Sequence, residues 1–294
     1  MKKWAEKHSY DLMIAPLMVF LVLMVAFPLI YTVYLSFTNW NMGALAPKWL
    51  GLKNYIDVLT DSQFWSDTGH TLYLAFGSVA IELVLGTGIA IVLNRPFAGK
   101  NFIKTLFLLP MVATPIAVGM VWQLIYEPTL GVANYLLKFL GIEPVMWLID
   151  TNMVMKSMII IEVWEWTPMV MLIVLAGLAG MPQDVFEAAK VDGANRFQKI
   201  RHIDFPTIVP SMTTLLILRF ASVMSVGFEK VYLMQDTVNY SVSNVISTYV
   251  YEVGLVGGQY SFSTAVGLFN SVVSFTLLVT ANLIVRRFSD YSLW

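Results

Sequence analysis

Long apolar runs alternate with short polar stretches along this chain, and their lengths predict membrane-spanning helices. No Asp, Glu, Lys, Arg or His occurs within residues 12–47, 105–126 or 253–285. A bilayer core of ~30 Å is crossed by about 20 helical residues at ~1.5 Å each, so each run is long enough. Because a helix in a soluble protein keeps a polar face, such uniform runs indicate a polytopic membrane protein.

Apolar runs and turn signals together predict six spans and an all-α fold. The spans are residues 12–37, 68–94, 105–126, 157–180, 208–228 and 262–285. We expect one transmembrane domain over residues 1–294, with a polar loop at about residues 181–207 between the fourth and fifth spans. The first run is too long for a cleaved signal peptide, so we expect an uncleaved anchor.

The distribution of Lys and Arg predicts the orientation, because cytoplasmic loops are enriched in both. With a cytoplasmic N-terminus, the inside segments hold twelve such residues and the outside loops hold four. The four outside residues are Lys48, Lys53, Lys138 and Lys230. We therefore expect both termini, and the loop at 181–207, to lie in the cytoplasm.

Composition supports a membrane protein and excludes several other classes. The chain has 294 residues, of which 57% are hydrophobic and 13% charged, and it contains no cysteine. Soluble domains carry roughly 25% charged residues. No basic stripe is present to bind nucleic acid, and the three histidines are too scattered for a metal site. No nucleophile–base set appears, so we do not expect an enzyme.

The loop after the fourth span has the features of a short amphipathic helix. Pro182 suits a first helical turn, and the acidic Asp184 and Glu187 suit the positive end of the helix dipole. An apolar stripe of small side chains follows at helical spacing: Val185, Ala188 and Ala189. Gly193 then permits a sharp turn or a close approach of another backbone. A helix lying on the membrane explains the amphipathicity, but not the Ala-Ala pair or the Asp-Gly-Ala sequence.

This segment resembles the EAA loop of the membrane-spanning subunits of bacterial ABC importers. The pattern of that loop is E-A-A-x-x-D-G-A, followed by an aromatic residue, an Ile and a Pro. This chain has each of them, as Glu187, Ala188, Ala189, Asp192, Gly193, Ala194, Phe197, Ile203 and Pro206. The resemblance implies that the six residues from Glu187 to Ala194 in this pattern form a coupling helix that docks on a separate ATPase.

The resemblance also implies a set of partners. A permease of this kind works with ABC ATPase subunits, a second permease subunit and an extracytoplasmic solute-binding protein, and it lies in the bacterial inner membrane. It holds no cofactor itself, because ATP and Mg²⁺ are bound by the ATPase. The stretch Pro96–Asn101 lacks the first Gly and the closing Ser or Thr of a P-loop, so we expect nucleotide hydrolysis in another chain.

Other segments are similar to permeases of the carbohydrate-uptake class. They are Trp164–Pro168, Leu175–Leu178, Trp49–Tyr55 and Leu109-Pro110. Many such permeases carry a T-G-G-G-P stretch after the fifth span, and this chain lacks it. The region after that span and the ending Tyr291–Trp294 resemble permeases for oligosaccharides and polysaccharide fragments. We therefore expect the substrate to be a sugar or an oligosaccharide.

Charged and amide groups inside the spans indicate the substrate pathway. Glu82, Glu165 and Arg219 lie near the middle of their spans, where a lone charge costs at least ~2.5–3.5 kcal/mol. Trp166 follows Glu165, and Asn270 lies in the sixth span. Aromatic faces stack on sugar rings while carboxylates and amides bind hydroxyls, so Glu165, Trp166, Arg219 and Asn270 are candidate pathway residues.

A structural role for the same charges is an open alternative. Arg219 has two candidate partners for an ion pair that holds the bundle together, Glu165 and Glu82, and for Glu82 we favour this structural role. At the level of function, the alternative to an ATP-driven importer is a secondary transporter driven by an ion gradient, with midplane carboxylates as its ion sites. Such a carrier has no use for a docking loop.

Overall fold

The computed structural model describes residues 9–221, 224 and 227–288. In that part of the chain every regular element is a helix, and the one β pairing is an isolated bridge between Thr38 and Trp49. The predicted all-α class is therefore confirmed. Lys2, Lys3, Lys7 and the segment 291–294, used in the predictions above, lie outside the described residues.

From residue 9 onward, the first half of the chain forms seven α-helices. A π-helical segment, Val22–Ala26, joins the first two into one apolar rod. In order they are α1 (Ser9–Leu21), α2 (Phe27–Ser36), α3 (Lys53–Thr60), α4 (Ser62–Leu93), α5 (Lys100–Val112), α6 (Pro115–Ile125) and α7 (Val132–Phe139).

In the described residues of the second half there are eight more α-helices and two further π-helical segments, Ile200–Asp204 and Glu252–Val256. The α-helices are α8 (Val154–Ala179), α9 (Gln183–Val191), α10 (Arg196–Lys199), α11 (Phe205–Ala221), α12 (Phe228–Met234), α13 (Tyr240–Ser243), α14 (Ile246–Tyr251) and α15 (Tyr260–Phe288).

Among the described residues, four helices are long and apolar enough to cross a membrane. They are Met13–Ser36, Ser62–Leu93, Val154–Ala179 and Tyr260–Arg287. A bent pair, α5 and α6, makes a fifth if it is one span. α11 has 17 residues, and the predicted fifth span continues into residues 222–228, of which 222–223 and 225–226 lie outside the description.

The predicted span 105–126 is two helices that meet at an angle of 102°. Ala113 and Thr114 are extended, with ψ near 145° at both, and they separate the two helices. Thr114 precedes a proline, which disfavours helical backbone at that residue, and its hydroxyl accepts a hydrogen bond from Ala117 N at 3.4 Å. Pro115 then begins α6, at a position where its missing N–H costs nothing.

The chain divides into two compact units. One comprises the residues up to Ser62 together with Val250–Asn270, and the other comprises Gln63–Tyr249 with the chain from Ser271 onward. In the first unit, the Thr38 and Ser261 hydroxyls lie 2.7 Å apart and tie the end of α2 to the start of α15. Asn54 donates to two backbone carbonyls there, so the turn after α2 is fixed by buried hydrogen bonds.

In the second unit, α4, α8 and α11 pack around one apolar core. Its buried side chains are Ala90, Leu93, Val170, Met171, Val174, Leu175, Leu178, Ile208 and Leu215. Gly86 on α4 lies so close to α8 that a Cβ there would come within 2.6 Å of the Val170 Cβ. Small residues allow this kind of close helix contact in membranes. The packing brings one face of each helix together, and these faces carry the charged groups described next.

Candidate functional site

The second unit contains a buried cluster of five charged side chains. Three carboxylates come from α4 and α8, and two cations come from α11 and α12. They are Glu82, Glu162, Glu165, Arg219 and Lys230. Each of the three glutamate side chains is at most 7% exposed. Buried charges of this kind are stable only when they are paired, so the cluster fixes the relative positions of four helices.

Arg219 makes the first set of contacts in this charge cluster. Its Nη2 donates to both carboxylate oxygens of Glu82, each at 3.0 Å. It also lies 3.8 Å from Glu162 Oε1. The guanidinium carbon sits 4.8 Å from the centre of the Trp166 ring, within the range of a cation–π interaction. Arg219 therefore links α4, α8 and α11.

Lys230 makes the second set of contacts in the charge cluster. Its ammonium group donates to Glu162 and to Glu165, and its side chain is 7% exposed. Glu162 thus lies between the two cations, which joins the pairs into one network. From the sequence, Lys230 was expected in an outer loop, and its pairing with buried carboxylates was not predicted. Gly227, with φ of +75°, turns the chain so that α12 begins with Lys230 in its first turn.

The predicted pathway residues are placed as follows. Glu165, Trp166 and Arg219 come together in the charge cluster. Of the two candidate partners of Arg219, Glu165 binds Lys230 instead, and Arg219 binds Glu82. The alternative Glu82–Arg219 pair is present. Asn270 lies half-buried on α15 in the other unit.

The predicted coupling segment folds as a helix, a turn and a second helix. α9 ends in a turn at Gly193, whose φ is +71°, a conformation that glycine adopts without strain. The backbone N–H of Ala194 donates to Ala189 O at 2.9 Å across this turn, the closing bond of a Schellman motif. The expected turn at Gly193 is therefore present, and nothing lies within 4 Å of a Cβ placed on it.

The second helix of the segment starts at a capping box. Asn195 Oδ1 accepts from Gln198 N at 2.9 Å, while Gln198 Oε1 accepts from Asn195 N at 2.8 Å. These two bonds satisfy backbone donors that have no partner in the first helical turn. The helix then passes through the π segment Ile200–Asp204 into α11 without a break. The loop is thus connected by continuous helix to Arg219.

A groove of about 470 Å³ lies in the bend between these two helices. Its lining is mostly small or apolar and consists of Val185, Ala188, Ala189, Asp192, Ala194, Gln198, His202 and Ile203. Four of the six predicted coupling residues therefore line one surface. Glu187 and Gly193 are exposed beside it. Small side chains let another protein approach the backbone closely, which suits a docking surface.

The helical fold, the long apolar helices and the exposed helical loop of the described residues suit the membrane-embedded part of a transporter. The chain belongs to the family of binding-protein-dependent transport system inner membrane components, whose model matches residues 82–290. It is a multi-pass inner-membrane permease subunit of an ABC transporter and is not itself an enzyme.

Named relatives cover nearly the whole chain. A probable ABC transporter permease protein, y4oQ of Sinorhizobium fredii, is 38% identical over 94% of this chain and 89% of its own length. The trehalose/maltose transport system permease protein MalF of Thermococcus litoralis is 31% identical over 94% of each chain.

The fold is also that of a solved transporter. A chain of a bacterial alginate ABC transporter, in complex with an alginate pentasaccharide-bound periplasmic protein, superimposes with a TM-score of 0.89 at 25% identity. That match covers 100% of this chain and 99% of the other.

Proposed function

We propose that this chain is the translocating subunit of an ATP-driven importer that brings a sugar or an oligosaccharide into the cytoplasm by alternating access. The observation that carries the proposal is the groove in the loop 181–207, which is lined by four residues of the coupling pattern and connected by helix to the charge cluster. Movement of a partner docked in this groove would be transmitted along α10 and α11 to Arg219.

The topology we propose has six spans in one transmembrane domain, with both termini and the coupling loop in the cytoplasm. It rests on the excess of Lys and Arg in the segments assigned to the inside. The four long apolar helices and the bent pair of α5 and α6 support five of the six crossings. We assign the sixth to α11 and the residues that follow it.

The proposed partners are ABC ATPase subunits, a second permease subunit, an extracytoplasmic binding protein and membrane lipid. ATP and Mg²⁺ are bound by the ATPase, and this chain supplies the surface on which the ATPase docks. The family description and the periplasmic protein bound to the alginate transporter support the binding protein. An ion-gradient-driven carrier is the alternative, but the docking loop would then have no function.

We propose that the transported saccharide is uncharged. The charge cluster holds three carboxylates against two cations, a formal charge of −1. Both cations already bind carboxylates of the chain, so an acidic sugar would have to displace these carboxylates from the cations. It would also enter a site whose net charge is negative, like its own. A neutral sugar carries no charge that would compete with these ion pairs, and it can bind through its hydroxyl groups. Sugars such as those named for the trehalose/maltose permease are of this kind.

The docking surface is tested by placing a carboxylate in the groove. Ala188→Glu adds bulk and charge to an exposed alanine of the groove lining. We expect the variant to insert in the membrane but to lose co-purification with its ATPase. Ala98→Glu is the matched control, because Ala98 is also exposed and lies in the turn before α5, outside the groove. Normal ATPase recovery with Ala188→Glu would contradict the proposal.

A further inference from the structure

A second cavity, of about 260 Å³, lies between the end of α4 and the base of the coupling loop. One wall is formed by the last residues of α4 and the turn after it, and the other by α10 and the π segment 200–204. Its lining residues are Ile91, Asn94, Arg95, Pro96, Arg196, Lys199, Ile200 and Asp204. The transport mechanism proposed above makes no use of this cavity.

The cavity carries two kinds of charge. Arg95, Arg196 and Lys199 supply positive charge from both walls, and Asp204 is the one acidic residue of the lining. Guanidinium and ammonium groups converging from two sides bind phosphate oxygens well, because their hydrogen bonds to an anion are charge-assisted. Three side chains of the lining therefore suit a phosphate group.

Asp204 indicates that a ligand of this cavity carries a second group, a hydrogen-bond donor. It is 5% exposed, and within the described part of the chain its Oδ1 has no hydrogen-bond partner. Burial raises the pKa of this carboxyl, while the positive charges of Lys199 and Arg95 act in the opposite direction. A buried carboxylate oxygen without a donor is costly, so a ligand that brings an N–H group would satisfy it.

The depth of the cavity indicates where the ligand comes from. α4 is a candidate membrane span and ends at Leu93, two residues before Arg95. α11, which packs in the same apolar core as α4, begins at Phe205, directly after Asp204. The cavity thus lies at the ends of two apolar helices, next to polar residues. This is the position of lipid headgroups at a membrane surface.

We propose that the cavity binds the headgroup of a phospholipid that carries a phosphate and a primary ammonium, as phosphatidylethanolamine does. The phosphate lies against Arg95, Arg196 and Lys199, and the ammonium donates to Asp204. The cavity lies between the end of α4 and the π segment that precedes α11. A bound headgroup would therefore hold the C-terminal end of the loop 181–207 at the membrane surface. Basic pockets at this level of membrane proteins bind anionic headgroups, and Asp204 adds selectivity for a zwitterion.

The test uses the full chain in detergent and native mass spectrometry, with three dioleoyl lipids added separately. They are phosphatidylethanolamine, phosphatidylglycerol, which has no cation, and phosphatidylcholine, whose quaternary nitrogen has no N–H. We expect the wild type to retain the ethanolamine lipid roughly tenfold better than the others, as one charge-assisted hydrogen bond allows. Asp204→Asn should reduce ethanolamine-lipid binding to the level of phosphatidylglycerol, whose own binding persists and shows that the variant is folded.

Two further variants test the phosphate half of the site. Arg196→Ala should weaken the binding of all three lipids. Arg201→Ala is the matched control, because Arg201 is exposed in the π segment that carries Asp204 and does not line the cavity. An unchanged lipid preference in Asp204→Asn, or equal retention of the choline and ethanolamine lipids by the wild type, would overturn the proposal. Displacement of the lipid by an equal concentration of soluble O-phosphoethanolamine would assign the site to a soluble ligand and would also overturn it.

Discussion

The Glu82–Arg219 pair offers the most direct way to separate structure from transport in the charge cluster. Its two side chains come from α4 and α11, which share one apolar core, and Arg219 Nη2 is 3.0 Å from both Glu82 oxygens. Side-chain exposure is 12% for Arg219 and 1% for Glu82. Solvent therefore cannot replace either partner when the other is removed.

The expected magnitude follows from this burial. Arg219→Leu should cost about 3–5 kcal/mol, because the Glu82 carboxylate is left buried without its partner. Glu82→Leu should cost less, because Arg219 keeps Glu162 at 3.8 Å and the Trp166 ring at 4.8 Å. The double variant removes both charges and should recover about 2–4 kcal/mol relative to the sum of the single effects.

The assay is a double-mutant cycle of reversible unfolding in mixed detergent micelles, with sugar uptake measured on the same four proteins. The exposed pair Lys53–Asp57, at 2.8 Å, is the control and should show almost no coupling. Additive effects of Glu82→Leu and Arg219→Leu would refute the argument that the pair is an energetic unit. We expect the stable double variant to lack uptake, whereas recovered uptake would leave only the structural role.

Two further predictions concern Lys230 and Gly193. Lys230→Met leaves Glu162 and Glu165 without the cation they share, and we expect a loss of about 3–5 kcal/mol in unfolding free energy together with lost uptake. Wild-type stability would show that Lys230 is not required to neutralise the two acids. Gly193→Ala forces a side chain into φ of +71°, at a cost of about 1–2 kcal/mol, and should speed amide hydrogen exchange across residues 183–195. Gly88→Ala, in open space on α4, should leave that exchange unchanged.

The sequence was most informative where membrane physics leaves few choices. Apolar runs long enough to cross a bilayer predict helices, because every backbone polar group must be paired within the segment. α4, α8 and α15 lie along three such runs. The run at 105–126 predicts one span, whereas the structure has two helices there at an angle of 102°. Thr114 and Pro115 carry the signal for its break, yet hydropathy alone treats a bent helix pair and a straight one alike.

The partners in the charge cluster could be predicted only in part. A charged side chain such as Glu82 or Arg219 is costly in free energy in the middle of an apolar span. We therefore expected the two residues to be paired. Lys230 gave no such signal, because a lysine beyond a span normally faces water. Its burial depends on the turn at Gly227 and on the packing of α12, which are tertiary properties. The helix and the turn at Gly193 that border the groove of the loop 181–207 were predictable, because local helix and turn rules determine them.

We propose that the energy for transport reaches this chain through a docked ATPase. One reconstitution experiment tests this proposal. The chain is placed in liposomes with its second permease, its binding protein and its ATPase, and uptake of a neutral oligosaccharide is measured. We expect uptake with ATP and Mg²⁺ in the lumen on the ATPase side, and none when an ion gradient replaces ATP. Uptake by this chain alone, driven only by a gradient, would contradict it.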